Sequence, residues 1–133
     1  MISRTEQREQ AFILIFEKSF NAETELQELY EIALENEIVT DSKFTKSLAF
    51  KTCEMTSEID AMIEKYSRSW KINRISKVAL AVLRLAVCEI LFFEDVPVAV
   101  TINEAVELCK KYASHDDYSF VNGILSSVSK EAK

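Results

Sequence analysis

Apolar residues recur along most of this chain every three or four positions, the spacing of one helix face. One stretch departs from that pattern. Asn73 to Phe93 reads NRISKVALAVLRLAVCEILFF, and after Lys77 only Arg84 and Glu89 interrupt the apolar run. A helix that is apolar all round is wrapped by other helices, so the pattern predicts a central core helix. Asn73 is its expected N-cap, since its side-chain oxygen can accept from the free N–H groups of the first turn. The two charges argue against a membrane span, and the uninterrupted length favours helix over strand.

The remaining elements show the same spacing. A helix is predicted from about Arg4 to Phe20, with Ala11, Phe12, Ile15 and Phe16 on one face. Ser3 can cap it, with Glu6 three residues on as capping-box partner. A second helix, about Ala22 to Asn36, carries Leu26, Leu29, Tyr30, Ala33 and Leu34. Glu37 to Asp41 is a break, with Thr40 or Asp41 capping the next helix. Phe44, Leu48, Lys51 and Met55 then repeat in helical register, and Ile59, Met62, Ile63 and Tyr66 run on toward Trp70, as one bent helix or two. Pro97 suits a helix start, where its missing N–H is not needed. From it Val98, Ile102, Ala105, Val106, Cys109 and Tyr112 form an apolar face, and Thr101 and Glu104 have capping-box spacing. The last helix is predicted from near Asp116 past Val128. It contains Gly123, which costs roughly 1 kcal/mol against alanine inside a helix and is therefore read as a close helix crossing.

Composition agrees with an all-α chain, a single helical domain over residues 1–133. Gly123 and Pro97 are the only residues of their kinds, whereas a sandwich or barrel needs many turn residues. The formal charge is −6 and is concentrated in the first half: 8 basic and 14 acidic residues stand up to Trp70, and 8 of each beyond it. Bulk charge does not announce nucleic acid, so such a role needs a local patch. Two patches present themselves. Arg4 and Arg8 lie four apart on one side of the first helix, and Arg68, Lys71, Arg74 and Lys77 have no acidic residue among them. Each reads either as a plain solvated face or as a phosphate-contacting edge.

Catalytic chemistry is not written into the chain. One glycine cannot build a phosphate loop. Cys53, Cys88 and Cys109 are odd in number and lack CxxC spacing, which fits free thiols in a reducing, cytoplasmic setting. No basic n-region precedes an apolar run at the start, so no secretory signal is expected. His115 beside Asp116 and Asp117 is better placed to favour a helix dipole than to hold a metal. Arg84 and Glu89 need partners in the core, and Glu104 is the expected partner of Arg84. Neither an enzyme nor a cofactor is expected.

Several segments in order resemble one family: Arg8-Glu9-Gln10-Ala11 with Ile15-Phe16, then Val82 to Ile90 (VLRLAVCEI), Val96-Pro97, Ile102 to Leu108 (INEAVEL), and Phe120 to Leu125 (FVNGIL). Together they resemble the NusB family of bacterial transcription antitermination factors over essentially the whole chain. The resemblance implies about seven helices in two packed bundles and no catalysis. It implies binding of single-stranded boxA RNA from ribosomal-operon leaders, together with the small-subunit ribosomal protein NusE, in the antitermination complex of RNA polymerase. No membrane partner is implied.

By the same resemblance the RNA residues are Arg4, Arg8, Asp116 and Phe120, and the partner face includes Phe16 and Ser76; core packing is the competing role for both Phe120 and Phe16. Thr5 and Glu6 stand where further basic residues are usual, and Glu6 and Glu9 offset the local positive charge. Two other readings stay open. One is the N-terminal domain of ribosomal-RNA cytosine methyltransferases, disfavoured because the chain ends at Lys133 without a methyltransferase domain. The other is a protein-only helical adaptor.

Overall fold

The computed structural model describes residues 2–67 and 71–132. Seven α-helices succeed one another: α1 (Arg4–Phe20), α2 (Leu26–Glu35), α3 (Lys43–Glu54), α4 (Thr56–Tyr66), α5 (Lys77–Phe92), α6 (Val98–Tyr112) and α7 (His115–Ala132). Among the described residues no strand occurs, and no helix is long and apolar enough to cross a membrane.

The all-round apolar segment does what its pattern demands. Helix α5 packs against α1, α3, α4, α6 and α7, and ten of its residues from Ala79 to Glu89 are buried. Helices α1 to α3 gather on one side of it, while α6 and α7, with α4 against α7, gather on the other. Two bundles thus share one helix as their common core.

Local chemistry fixes the element ends. Ser3 accepts from the Glu6 N–H at 3.1 Å, and Glu6 Oε1 accepts from the Ser3 N–H at 3.3 Å, completing the capping box expected for α1. Such a cap contributes about 1 kcal/mol. Helix α2 begins at Leu26, later than its periodicity indicates. Lys18 spans the turn before it, its ammonium donating to the carbonyls of Ala22 at 2.8 Å and Thr24 at 2.5 Å. At the far end of α2, Glu37 adopts φ 57°, while Ile38 N–H returns to Ala33 O and Glu37 N–H to Leu34 O. This is the left-handed C-terminal turn that glycine usually occupies.

Several expected details are corrected. Helix α3 is capped by Ser42, not by Thr40 or Asp41, through the Thr45 N–H at 3.4 Å. Where the sequence left one bent helix or two open, the chain forms two, α3 and α4, divided at Met55. Asn73 does not cap the core helix. It lies in a 3₁₀ turn over Ile72–Arg74, which brings Ile72 and the buried Ile75 round to the core, and Ser76 caps α5 by accepting from Ala79 N–H at 3.1 Å. Thr101 is buried and serves the core, not a capping box, and Glu104 accepts from the Thr5 hydroxyl. Arg84 pairs with Asp60 of α4 in a two-pronged contact, both bonds 2.8 Å, and not with Glu104. Gly123 is exposed, with no atom beyond its own helical neighbourhood within 4 Å of where a Cβ would stand, so it marks no helix crossing. Arg68 and Trp70 lie outside the described residues.

Candidate nucleic-acid interface

The start of α1 carries a surface that joins cationic and aromatic side chains. Arg4 is exposed and lays its guanidinium over the Phe44 ring, 3.8 Å from the ring centroid. Phe44 in turn meets Phe93 edge to face at 5.9 Å. Lys43 stands exposed beside Phe44 at the first position of α3. These side chains border a cleft of about 540 Å³ that also takes in Gln7, Ser42, Asp41 and Asp95. Its frame is tied across elements: Ser42 Oγ donates to Gln7 Oε1 at 3.0 Å, Thr45 Oγ1 to the Gln7 carbonyl at 3.0 Å, and Thr40 N–H to Gln10 Oε1 at 2.7 Å. Helix α1 is therefore stitched along one flank to the segment that opens α3.

Arg8 belongs elsewhere. Expected beside Arg4 on a phosphate edge, it is 4% exposed. Its Nε donates to both oxygens of Glu89, at 2.9 and 3.1 Å, and its Nη2 donates to Oε1 at 2.6 Å. Thr101 adds a third donor to the same carboxylate at 3.1 Å. The physical reason is the helical period itself: Arg8 precedes Ala11, Phe12 and Ile15 by three, four and seven residues, so it stands on the apolar stripe. Glu9, which the sequence sets against the arginines, turns instead to Lys111, which donates to it at 2.5 Å, and to the Tyr112 hydroxyl. These donors hold the Glu9 carboxyl below its ordinary 4.5 and raise both partners.

The far end of α1, about 18 Å along its axis, presents a different face. Phe16 is half-buried, stacked on Phe12 at 5.9 Å and edge-on to Phe20 at 5.0 Å. Phe20 is 59% exposed and lies beneath Lys77 at 5.4 Å. Ser76, next to Lys77, donates to Asp117 Oδ2 at 3.4 Å. The two expected partner residues, Phe16 and Ser76, are thereby brought to one neighbourhood. Asp116 is exposed beside Asp117 in the first turn of α7, and Phe120, one turn further on, is half-buried against the core. The expected RNA residues thus divide between the two ends of α1: Arg4 at its start, Asp116 near its end.

Other reactive groups sit quietly. Burial pushes the Cys88 thiol up to about 11 and Cys109 to about 12, and it raises Cys53 as well. Such thiols stay protonated at neutral pH and are poor nucleophiles. His115 packs against Tyr118, ring centroids 4.8 Å apart. Among the described residues no group of three or more His, Cys, Asp or Glu side chains could hold a metal.

Sequence reasoning missed Lys43, Phe44, Phe93, Asp41 and Asp95 as one constellation. The adjacent basic and aromatic pair at Lys43-Phe44 was its visible trace.

An all-helical scaffold threaded by one shared helix, with cationic and aromatic surfaces at both ends of its first helix, is that of a helical binding protein. The NusB family model matches residues 5–130, and the chain belongs to the NusB family. It is 42% identical to the transcription antitermination protein NusB of Ruminiclostridium cellulolyticum, over 97% of this chain and 90% of that one. It is 41% identical to that of Clostridium perfringens, covering 99% and 100%. Among solved structures it resembles T. maritima NusB, with TM-score 0.87, 35% identity and coverage of 98% and 92%. It also resembles a chain in a structure of the antitermination factors NusB and NusE in complex with dsRNA, with TM-score 0.86, 28% identity and 96% of each chain covered.

Proposed function

We propose that this chain is a transcription antitermination factor. It binds boxA-type leader RNA of ribosomal operons together with NusE, within the complex that carries RNA polymerase past terminators. It acts in the cytoplasm and catalyses no reaction. The observation that carries this reading is the family match across residues 5–130.

Arg4 and Lys43 are the phosphate contacts at the start of α1, and Asp116 and Phe120 contribute at the start of α7. Phe16, with exposed Phe20 beside it, and Ser76 form the NusE face. Arg8 acts from behind: its bond to Glu89 holds α1 in the position from which Arg4 is presented. With few phosphates neutralised, the salt dependence of RNA binding is shallow, about −0.7 in log–log slope for each. NusE adds contacts and strengthens RNA binding, and RNA strengthens NusE binding by the same factor.

The test is titration of labelled boxA RNA at two salt concentrations, with and without NusE, for the wild type and Arg4→Glu. The expected result is wild-type binding that NusE strengthens, and weaker binding by Arg4→Glu with helical content and NusE affinity retained. Unchanged affinity in the variant moves the RNA edge to the basic residues of 71–77. Absence of RNA binding even with NusE leaves the protein-only adaptor. That reading draws its support from the burial of Arg8, which leaves Arg4 alone of the two arginines at the surface.

A further inference from the structure

The cleft beside Arg4 has a composition that suits more than phosphate contact. Arg4 and Lys43 face two carboxylates, Asp41 and Asp95, so the lining is electrically balanced. A surface selected for phosphate alone carries a positive excess. The aromatic components set the second constraint. The Arg4 guanidinium already lies over Phe44, and Phe44 is braced edge-on by Phe93, so a cationic and aromatic platform exists before any ligand arrives. Unpaired bases are held on aromatic rings or on the planes of arginine guanidinium groups. The third constraint is rigidity. Gln7, Ser42 and Thr45 lock the start of α1 to the start of α3, and the Tyr30 hydroxyl fixes Asp41 Oδ1 at 2.5 Å. A preformed site loses little in ordering when it is filled.

We propose that this cleft is a nucleobase pocket for one unpaired base of the bound RNA, an inference that rests on the RNA-binding reading above. The base stacks on the Arg4–Phe44 platform, and its phosphate lies toward Lys43. Its edge faces Asp41 and Asp95, which as carboxylates only accept hydrogen bonds. The pocket therefore favours a base bearing an exocyclic amino group, such as cytosine or adenine, over uracil.

The experiment uses the full chain with NusE and a labelled boxA-type oligoribonucleotide made abasic at one position at a time. Affinities are measured for the wild type, Phe44→Leu and Asp95→Ala, with helical content checked by circular dichroism. One abasic position is expected to cost the wild type about tenfold, the worth of one stacked base, and to cost Phe44→Leu far less. With cytosine or uracil placed at that position, the wild type prefers cytosine several-fold and Asp95→Ala loses the preference. Equal abasic penalties in wild type and Phe44→Leu at every position overturn the pocket while leaving RNA binding intact. Should Phe44→Leu fail to fold, the Asp95→Ala arm decides alone, and a preference that is absent in the wild type or unchanged in the variant overturns the pocket. A wild type that binds no RNA with NusE present overturns the pocket and the proposed function together.

Discussion

Arg8 of α1 and Glu89 of α5 close on each other inside the protein, with side chains only 5% and 2% exposed and three hydrogen bonds between them. Thr101 of α6 completes the acceptor's shell, so one carboxylate joins three helices. Two charges taken from water are expensive, and their mutual attraction offsets that cost only when both are present. Arg8→Ala or Glu89→Ala is expected to destabilise the fold by about 3–5 kcal/mol in urea unfolding. Replacing both with apolar residues of similar volume is expected to cost far less than the two single changes summed. Additive losses in that cycle would show that the pair is not coupled.

Glu37 holds a left-handed conformation at φ 57° after α2. A side chain there costs roughly 1–2 kcal/mol, and glycine avoids that cost while losing more entropy on folding. Glu37→Gly is therefore expected to stabilise the protein by about 0.5–1 kcal/mol, with alanine giving no such gain. Chemical denaturation of the two variants tells them apart.

Gly123 offers the reverse case. A methyl group at that position meets nothing within 4 Å outside its own helical surroundings. Gly123→Ala should thus raise stability by about 0.5–1 kcal/mol, the difference in helix propensity. A loss of stability would reveal a contact that the described residues do not make.

Glu9 links α1 to the end of α6 through Lys111 and Tyr112. Its folded pKa is depressed, so its contribution to stability is present above the unfolded value of 4.5 and is lost as pH falls through the lower folded value. Lys111 is raised, and its contribution is present below 10.5 and lost as pH rises past it. In thermal melts, Glu9→Gln is expected to flatten the acid limb as pH falls below 4.5. An unchanged acid limb would mean that other carboxylates govern it.

The fold was readable wherever a local rule decided it. The capping box at Ser3 and Glu6, and the all-round apolar character of α5, need no distant information. Pairings across helices were not readable. Nothing in the spacing of Arg84 favours Asp60 over Glu104, because the choice depends on which helix lies alongside, and here that is α4. Asn73 and Ser76 are both competent caps, and the turn that buries Ile75 selects the second. Arg8 is instructive in another way. Its spacing to Arg4 pointed outward while its spacing to Ala11, Phe12 and Ile15 pointed inward, and the inward pattern governs because Glu89 waits there. Gly123 misled through a sound rule applied without its neighbours: the glycine falls on the solvent side of a helix whose buried side is Val121, Ile124, Leu125 and Val128.

Because α5 is the wall of both bundles, opening either half exposes the same buried helix, and the two are expected to open together. The amides of α5 should exchange with deuterium only through complete opening of the molecule. Helix α2, packed chiefly on α1, is the part that frays first and exchanges fastest. A ligand bound at either end of α1 accordingly protects every amide that exchanges through complete opening, and its effect registers as one shift of a single, sharp melting transition.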